Sequence, residues 1–387
     1  MSVTSATSKV SSAEAAQTRW TGGSTSRTVS TRSLHRDGFA RVRHVHGPQP
    51  SMPVGEAPPD TRYFTVEETN ALLREFASKH SDVAKVVDLT ELAGAQKTHE
   101  GRPILALKIS SNPAVDQDKP AKLLVAQHHA RELNTPPMIF GAIERILEGR
   151  SSDPKLAELV NEHELYFVPM VNPDGVNQVW SGNPLWRKNR GPEPGGRGVD
   201  LNRNYPALYG QCGSSTNRRS QTYRGPAAAS EPETRTMIAL GKALRPEVYL
   251  DFHSSGREIL DLYAPCASVS PEIRRLGEHY MDDLRGPMNY ASRAPSASGE
   301  APHHHWMNGG ALSYLIEVGT EFQPAFERTE AEVARVWPGV ERALTTWKPA
   351  LRGNARDANT GEPLEAAFTV NGDLFRENEK TLSRSRD

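Results

Sequence analysis

The sequence repeats one local pattern, in which a short apolar run is followed by an amphipathic helical segment. Four such runs are Leu123–Gln127, Leu165–Val171, Glu247–Phe252 and Leu312–Val318. Runs of this length indicate buried strands, and strands that alternate with helices are typical of an α/β fold. We therefore predict a single large domain with a mixed, mostly parallel, twisted β-sheet that is flanked by helices on both faces.

Residues that can bind a metal or move a proton lie at the ends of three predicted strands. His129 follows the first run, His253 ends the third, and Glu317 lies near the end of the fourth. In α/β folds, ligands bind outside the carboxyl ends of the strands. The pattern therefore predicts one functional site at this edge of the sheet.

Helix starts are marked by capping signals. Thr65–Glu68 and Ser230–Glu233 each match the capping box S/T-x-x-E, and Pro136 follows Thr135 at a first helical position, where proline is favoured. We predict helices that begin at these three places.

Composition divides the chain into three parts. Residues 1–61 are rich in Ser, Thr and Pro and are predicted to be disordered; they lack the apolar core of a secretory signal, which leaves localisation open. Residues 62–348 carry the periodic pattern and form the predicted catalytic domain. Residues 349–387 read as two strands and a charged tail, an appendage too small to fold alone.

Charge and cysteine content exclude several classes of protein. Lys and Arg (46) nearly cancel Asp and Glu (47), so the basic excess of a nucleic-acid-binding protein is missing. Two cysteines exclude a disulfide-rich scaffold and a four-cysteine zinc site. No apolar run reaches the roughly 18 residues that a membrane-spanning helix needs.

The segment that follows the first run suggests a metal site. His129 and Glu132 are three residues apart on a turn, so that imidazole and carboxylate can bind one ion, and His253 is the candidate third ligand. A His2Glu set would leave Zn2+ one net positive charge for activating water. Asp200 could accept a hydrogen bond from His129 and fix its tautomer, or it could cap the turn that follows it.

A buried carboxylate and a group of arginines complete the candidate site. Glu317 lies in an apolar strand, where burial raises a carboxyl pKa and suits a general base; a buried ion pair is the alternative. Arg187, Arg190 and Arg203 lie in the long polar stretch from Ser181 to Gly225. They could bind carboxylates and stabilise an oxyanion, or they could form a solvated basic loop.

Taken together, the motifs resemble those of the zinc carboxypeptidases of the carboxypeptidase A (M14) family, from about Tyr63 to Lys348. The family's blocks occur in the family's order: His129-x-Arg131-Glu132, Asn172-Pro-Asp-Gly175, Arg187-Lys-Asn-Arg190, Gly198–Asn204, Thr222–Gly225, Ser230–Glu233, Leu250–Ser254 and Leu315–Glu317. The C-terminal appendage resembles the first strands of the transthyretin-like domain that follows some family members.

The resemblance implies a role for each matching position. His129, Glu132 and His253 would bind one Zn2+ per chain, and Glu317 would act as general base and then as proton shuttle. Arg190 would polarise the scissile carbonyl. The resemblance also implies substrate-binding positions, which are Asn202 and Arg203 at the terminal carboxylate and Arg131, Arg187 and Ser254 further along the groove. We therefore expect a monomeric metallocarboxypeptidase that acts on the C-termini of peptides or proteins and binds no nucleic acid.

Several positions depart from the family pattern. Pro295 falls where the family usually has a mobile tyrosine, and Tyr290 is out of register with it. Ser255 replaces a tyrosine in the groove wall. Cys212 lacks its usual partner, and a pair with Cys266 is geometrically possible but unsupported by the family. His303-His-His305 is unlike the family and reads as a solvated loop or as part of the specificity pocket.

Substrate preference and reaction class stay open at this level. Ala301 and Pro302 fall near the family's selector position and suggest an apolar preference, whereas Asp261 or Glu300 could select basic C-termini. One alternative function is a zinc acylase of the aspartoacylase or desuccinylase type. Another is a non-catalytic binding module on the same fold.

Overall fold

The computed structural model describes residues 59–117, 119–191, 197–347, 356–362, 367–369 and 380–382. The disorder predicted for residues 1–61 therefore lies almost wholly outside the described residues. Most of the predicted C-terminal appendage lies outside them as well.

Ten strands and eight α-helices are present in the described residues. The strands are β1 Ala84–Asp88, β2 Leu105–Ile109, β3 Ala121–Ala126, β4 Glu164–Val168, β5 Val248–His253, β6 Glu258–Leu260, β7 Ala291–Arg293, β8 Leu312–Glu317, β9 Ala367–Thr369 and β10 Lys380–Leu382. The helices are α1 Val66–Lys79, α2 Pro136–Gly149, α3 Pro154–Glu162, α4 Pro173–Trp180, α5 Pro232–Leu244, α6 Pro271–Met288, α7 Ala301–Gly309 and α8 Phe326–Thr346.

Eight of the strands form one mixed sheet in the order β1-β2-β4-β3-β5-β8-β6-β7. The central strands β4, β3, β5 and β8 are mutually parallel, and β6 and β7 are parallel to each other. Antiparallel pairings join β1 to β2, β2 to β4, and β6 to β8. The predicted α/β domain with a mixed, mostly parallel sheet is therefore confirmed.

Helices cover both faces of the sheet because both faces of the central strands are buried. Tyr249 packs in one apolar cluster with Met237 and Leu240 of α5. Successive residues of a strand point to opposite faces, so Leu250 and its register partner Tyr314 face the other side. There the Tyr314 hydroxyl donates a hydrogen bond to a carbonyl of α6 (2.7 Å). The prediction of helices on both faces is also confirmed.

The capping signals are correct in two of three cases. Thr65 and Glu68 form the reciprocal capping box at the start of α1, and α2 begins at Pro136. The capping box predicted at Ser230 is wrong, because the N-cap of α5 is Glu231 and no side chain caps that end. The Ser230 hydroxyl instead donates to the carboxylate of Glu231 (2.7 Å).

The residue pattern between β5 and β8 did not predict the secondary structure of that region. Residues 301–309 form helix α7, so the interpretation of His303–His305 as a solvated loop is wrong. His303 and His305 are buried, and burial lowers the pKa of His303 to about 3. His305 stacks on Tyr249 of the central sheet, which makes these histidines part of the core.

At the C-terminal end, β9 and β10 pair in antiparallel register. Within the described residues, no helix combines the length and the apolar character that a membrane crossing needs.

Candidate functional site

The parallel strands β3, β5 and β8 bring the predicted site residues together at one edge of the sheet. His253 and Glu317 are the last residues of neighbouring strands and are direct register partners. His129 lies three residues after the end of β3, which pairs with β5 on its other side. The three strand ends therefore meet, as the strand-end pattern predicts.

His129, Glu132 and His253 converge on one point, and each is at most 4% exposed. The Nδ1 atom of His129 lies 2.7 Å from Oε1 of Glu132 and 3.0 Å from Nδ1 of His253. One ligand atom from each residue lies within 4.8 Å of the others. Oε2 of Glu132 lies 3.1 Å from Nδ1 of His253, so the two carboxylate oxygens contact the two imidazoles. Two imidazole nitrogens and a carboxylate fit a tetrahedral zinc site with one open position.

Two aspartates contact the imidazoles of the trio formed by His129, Glu132 and His253. Oδ1 of Asp200 lies 3.0 Å from Nε2 of His129, and Oδ1 of Asp251 lies 3.3 Å from Nε2 of His253. Asp251 also contacts Nδ1 of His128 at 3.0 Å. Such carboxylate–imidazole contacts orient the ring so that its other nitrogen faces the metal position. Asp200 in addition accepts from the backbone of Asn202 (3.1 Å), so it both orients His129 and caps the following turn.

The segment that carries Asp200 lies against an earlier part of the same loop. The backbone N–H of Asn189 donates to the carbonyl of Val199 (3.0 Å). Gly198 permits this approach, because it has a φ of +60° and an added Cβ would lie 1.9 Å from the carbonyl oxygen of Asn189. This close contact brings Arg187 next to Asp200.

Arg187 and Arg190 occupy different environments, which contradicts the positions expected for them. Arg187 is buried beside the trio: Nη2 donates to Asp200 (2.9 Å), and Nη1 lies 3.9 Å from Glu132. Arg190 points away from the trio, where Nε donates to Glu100 (3.2 Å) and the guanidinium lies over the ring of Trp186. The arginine next to the candidate metal position is therefore Arg187, and Arg190 does not line the cavity.

A cavity of about 250 Å³ lies in front of the trio. Glu317 lines it, and burial together with the charge of Glu132 raises the Glu317 pKa to about 7. Nη2 of Arg293, at the end of β7, lies 3.6 Å from Oε1 of Glu317. The ion pair considered as an alternative for Glu317 is therefore present only as this long contact with Arg293. The carboxylate of Glu317 faces the cavity.

The opposite wall of the cavity contains Asn202 and Arg203. Oδ1 of Asn202 accepts from the backbone N–H of Ala301 (2.8 Å), which leaves its amide group near His253. Nη1 of Arg203 donates to Glu300 (3.0 Å), and both side chains are buried. Burial raises the pKa of Glu300, and Arg203 opposes that rise. Arg203 therefore already has a carboxylate partner inside the cavity.

The other predicted groove residues lie at the cavity or beside it. Ser254 lines the cavity, and its buried hydroxyl has no hydrogen-bond partner among the described residues. Arg131 does not line it; its guanidinium stacks on the ring of Phe322, which does. Of the candidate selector residues, only Glu300 lines the cavity, whereas Asp261, Ala301 and Pro302 do not.

Two further positions differ from the family expectation. Tyr290 is buried and donates to Glu332, away from the cavity. Cys212 and Cys266 form a disulfide bond. The carbonyl of Cys212 accepts from the backbone N–H of Ser298 (3.1 Å), and the N–H of Cys212 donates to the Ser298 hydroxyl (3.1 Å). The disulfide therefore anchors the segment that leads to Glu300.

Sequence reasoning missed Asp251, the contact between Glu300 and Arg203, and the inward position of Arg187. A signal for Asp251 was present, because residues two apart on a strand share a face and Asp251 precedes His253 by two. The contact between Glu300 and Arg203 had no comparable signal, since it joins positions 97 residues apart.

Comparison with known proteins gives a consistent result. Residues 69–338 match the family model described as zinc carboxypeptidase. The zinc carboxypeptidase A 1 of Anopheles gambiae is 33% identical over 219 residues, 56% of this chain and 48% of that protein. Carboxypeptidase B of Helicoverpa zea is 32% identical over 232 residues, 58% of this chain and 51% of that protein. The chain thus spans about half the length of these curated relatives.

The fold is similar to solved structures as well. The crystal structure of the carboxypeptidase A from Helicoverpa armigera superposes with a TM-score of 0.64 at 28% identity. The match covers 73% of this chain and 74% of that one.

Proposed function

Because the chain belongs to the zinc carboxypeptidase family, we propose that it is a zinc-dependent metallocarboxypeptidase that removes the C-terminal residue of peptides or proteins. One observation carries the proposal. Two histidines and a glutamate converge at the strand ends, and a second glutamate with a raised pKa faces them across one cavity.

The proposed metal ligands are His129, Glu132 and His253. Their donor atoms suit zinc, and the convergence of both imidazoles on the buried carboxylate of Glu132 supports a cation at this point. Bound there, zinc supplies the Lewis acidity that activates water and polarises a carbonyl group. Asp200 and Asp251 would keep the two imidazoles in the orientation that binding requires.

Glu317 is the proposed general base. Its pKa of about 7 lies where a carboxylate can both accept and release a proton near neutral pH. It would take the proton of the attacking water and then deliver it to the nitrogen of the leaving residue. Its neighbour Arg293 would limit how far its carboxylate moves.

Arg187 is the proposed stabiliser of the carbonyl oxygen, in place of Arg190. Its guanidinium is buried next to Glu132 and lines the cavity, so it can donate to an oxygen held there. Arg190 forms an ion pair with Glu100 outside the cavity and would only stabilise the conformation of the loop.

Asn202 and Arg203 are the proposed anchors of the substrate's terminal carboxylate. Both line the cavity, and a guanidinium can bind a carboxylate bidentately. The substrate would share Arg203 with Glu300, which distinguishes this wall from one with a free arginine. Ser254 would contribute a hydroxyl to the groove, and Arg131 would lie behind Phe322 at its margin.

The test is a scan of N-acetylated peptides that differ in the C-terminal residue, each offered with a free and with an amidated C-terminus. We expect release of single residues, detected by mass spectrometry, from the free-carboxylate peptides only. Glu317→Gln is the inactive control, and Glu100→Gln, which lies outside the cavity, is the matched active control. Equal cleavage of amidated and free peptides would contradict a carboxypeptidase, and cleavage of N-acyl amino acids alone would favour an acylase.

A further inference from the structure

A second cavity, of about 240 Å³, adjoins the first, and Arg187 lines both. The charged residues of its lining are all cationic: besides Arg187 they are Lys188, Arg197, Arg218 and Arg219. None of the described residues that line this cavity carries a carboxylate. A concave surface of this kind produces a positive potential that attracts anions.

Lys188 makes this charge unusual, because it is only 4% exposed. Its ammonium group donates to the carbonyl oxygens of Arg218 (2.8 Å) and Ser220 (3.1 Å), and neither oxygen carries a full negative charge. Among the described residues, Lys188 forms no ion pair, and neither do Arg197 and Arg219. Burial lowers the pKa of Lys188; the negative charge of Asp200 opposes this effect, and the positive charge of Arg197 adds to it.

A buried cation that forms no ion pair is unfavourable, and an anion in the cavity would relieve that cost. Exposed arginines at the rim suit a carboxylate, because a guanidinium offers parallel N–H donors. Trp186 forms part of the same wall and could contact the aliphatic portion of a bound side chain.

The position of the second cavity relative to Arg187 indicates which part of a substrate would lie in it. In the proposed reaction, Arg187 holds the scissile carbonyl, and Arg203 on the wall of the first cavity holds the terminal carboxylate. The leaving residue therefore occupies the first cavity. The second cavity shares Arg187 with the first but is not lined by Asn202 or Arg203, so it would lie beside the residues that precede the scissile bond.

We propose that this second cavity is a subsite for an acidic side chain, aspartate or glutamate, one or two residues before the scissile bond. This inference rests on the proposed carboxypeptidase function and adds a substrate class to it. The enzyme would then prefer peptides whose C-terminal residue is preceded by acidic residues.

The test uses acetylated tripeptides in which Glu, Gln or Lys occupies either of the two positions before a constant C-terminal residue. In about 50 mM salt we expect kcat/KM to fall from Glu to Gln to Lys, by roughly 2- to 5-fold per unit of charge, because the charges are partly exposed. The ratio of kcat/KM between the Glu and Lys peptides should approach one in 0.5 M NaCl, where charges are screened.

Two variants decide whether the second cavity is responsible. Arg197→Glu combined with Arg219→Glu should reverse the order of the Glu and Lys peptides while leaving the Gln peptide within about twofold. Arg275→Glu combined with Arg285→Glu, an equal charge change on two arginines of α6 that line neither cavity, should leave the order unchanged. Thermal melting of all variants checks that the fold is kept.

Equal rates on the Glu and Lys peptides in low salt would overturn the proposed subsite, as would a preference that survives the double variant. In either case the enzyme would still cleave the Gln peptide, so the carboxypeptidase function would stand. Failure to cleave any peptide would instead refute the function, and the subsite with it.

Discussion

Replacing Arg187 tests which of two nearby arginines takes part in the reaction. Arg187→Met keeps much of the side-chain volume and removes the guanidinium from the cavity, whereas Arg190→Met removes a guanidinium three residues away that pairs with Glu100 outside it. The two variants lose the same charge, so a different effect on rate must come from position.

The expected loss for Arg187→Met has two parts. Removal of one preorganised donor to a developing oxyanion costs about 10²–10³ in kcat, or about 2.7–4 kcal/mol. The substitution also removes the charged donor that sits 2.9 Å from Asp200, and Asp200 orients His129. Losing such support behind a metal ligand weakens metal binding by about 10- to 100-fold. Arg190→Met should lower kcat less than about fivefold, because its ion pair is partly exposed.

The assay is steady-state hydrolysis of the peptide that is cleaved best, with zinc in excess and zinc content measured for every sample. Excess zinc separates the loss of metal from the loss of the carbonyl donor, since only the latter persists at full occupancy. Matching losses in the two variants at full zinc occupancy would refute the role of Arg187. A larger loss for Arg190→Met would restore the role that the sequence alone implied for it.

Four other changes have defined outcomes. Dialysis against a zinc chelator should abolish peptide hydrolysis, and added zinc should restore it. Asp251→Asn should weaken zinc binding about 10- to 100-fold, measured by competition with a chromogenic chelator. Glu317→Gln should remove the acid limb of the pH–rate profile, which in the unaltered enzyme falls as pH drops below about 7 because the base becomes protonated. Glu300→Gln should lower KM at least about threefold for peptides ending in uncharged residues, because Arg203 loses a competing carboxylate.

Each of these outcomes can fail in a recognisable way. Activity that persists after complete metal removal would contradict the metal mechanism. Unchanged zinc affinity in the Asp251 variant would show that His253 keeps its orientation without that contact. An acid limb that remains in the Glu317 variant would assign the titration to another group. A higher KM in the Glu300 variant would mean that Glu300 positions Arg203 for substrate and does not compete with it.

Features that depend on neighbouring residues along the chain were predictable from the sequence. Apolar runs place β3, β5 and β8 correctly, because burial on both faces demands continuous apolar residues. Parallel pairing then brings His129, His253 and Glu317 to one edge without further information. The capping box at Thr65 was equally readable, because both of its hydrogen bonds lie within three residues.

Features that depend on contacts between distant segments were not predictable. Nothing in the local sequence distinguishes Arg187 from Arg190. Their side chains differ in direction because Arg187 binds Asp200 and Arg190 binds Glu100. Helix α7 was missed because two of its five buried residues, His303 and His305, are histidines, which join the core only when burial keeps them neutral. The capping box predicted at Ser230 does not form because its hydroxyl donates to the carboxylate of Glu231 and accepts from the side-chain amide of Asn204.

The two cavities differ in how their positive charges are balanced, and this difference separates fixed from variable parts of the proposed site. In the first cavity Arg187 faces Asp200, Arg203 faces Glu300 and Arg293 faces Glu258, so each arginine is held by a carboxylate of the protein before substrate arrives. Preorganisation of this kind lowers the reorganisation needed during reaction. In the second cavity Lys188 donates to carbonyl oxygens and lies over the ring of Tyr223, so a substrate carboxylate could complete its charge balance. Chemistry would thus depend on the first cavity, whose arginines are paired with carboxylates, and the choice among substrates on the second, where Lys188 forms no ion pair among the described residues.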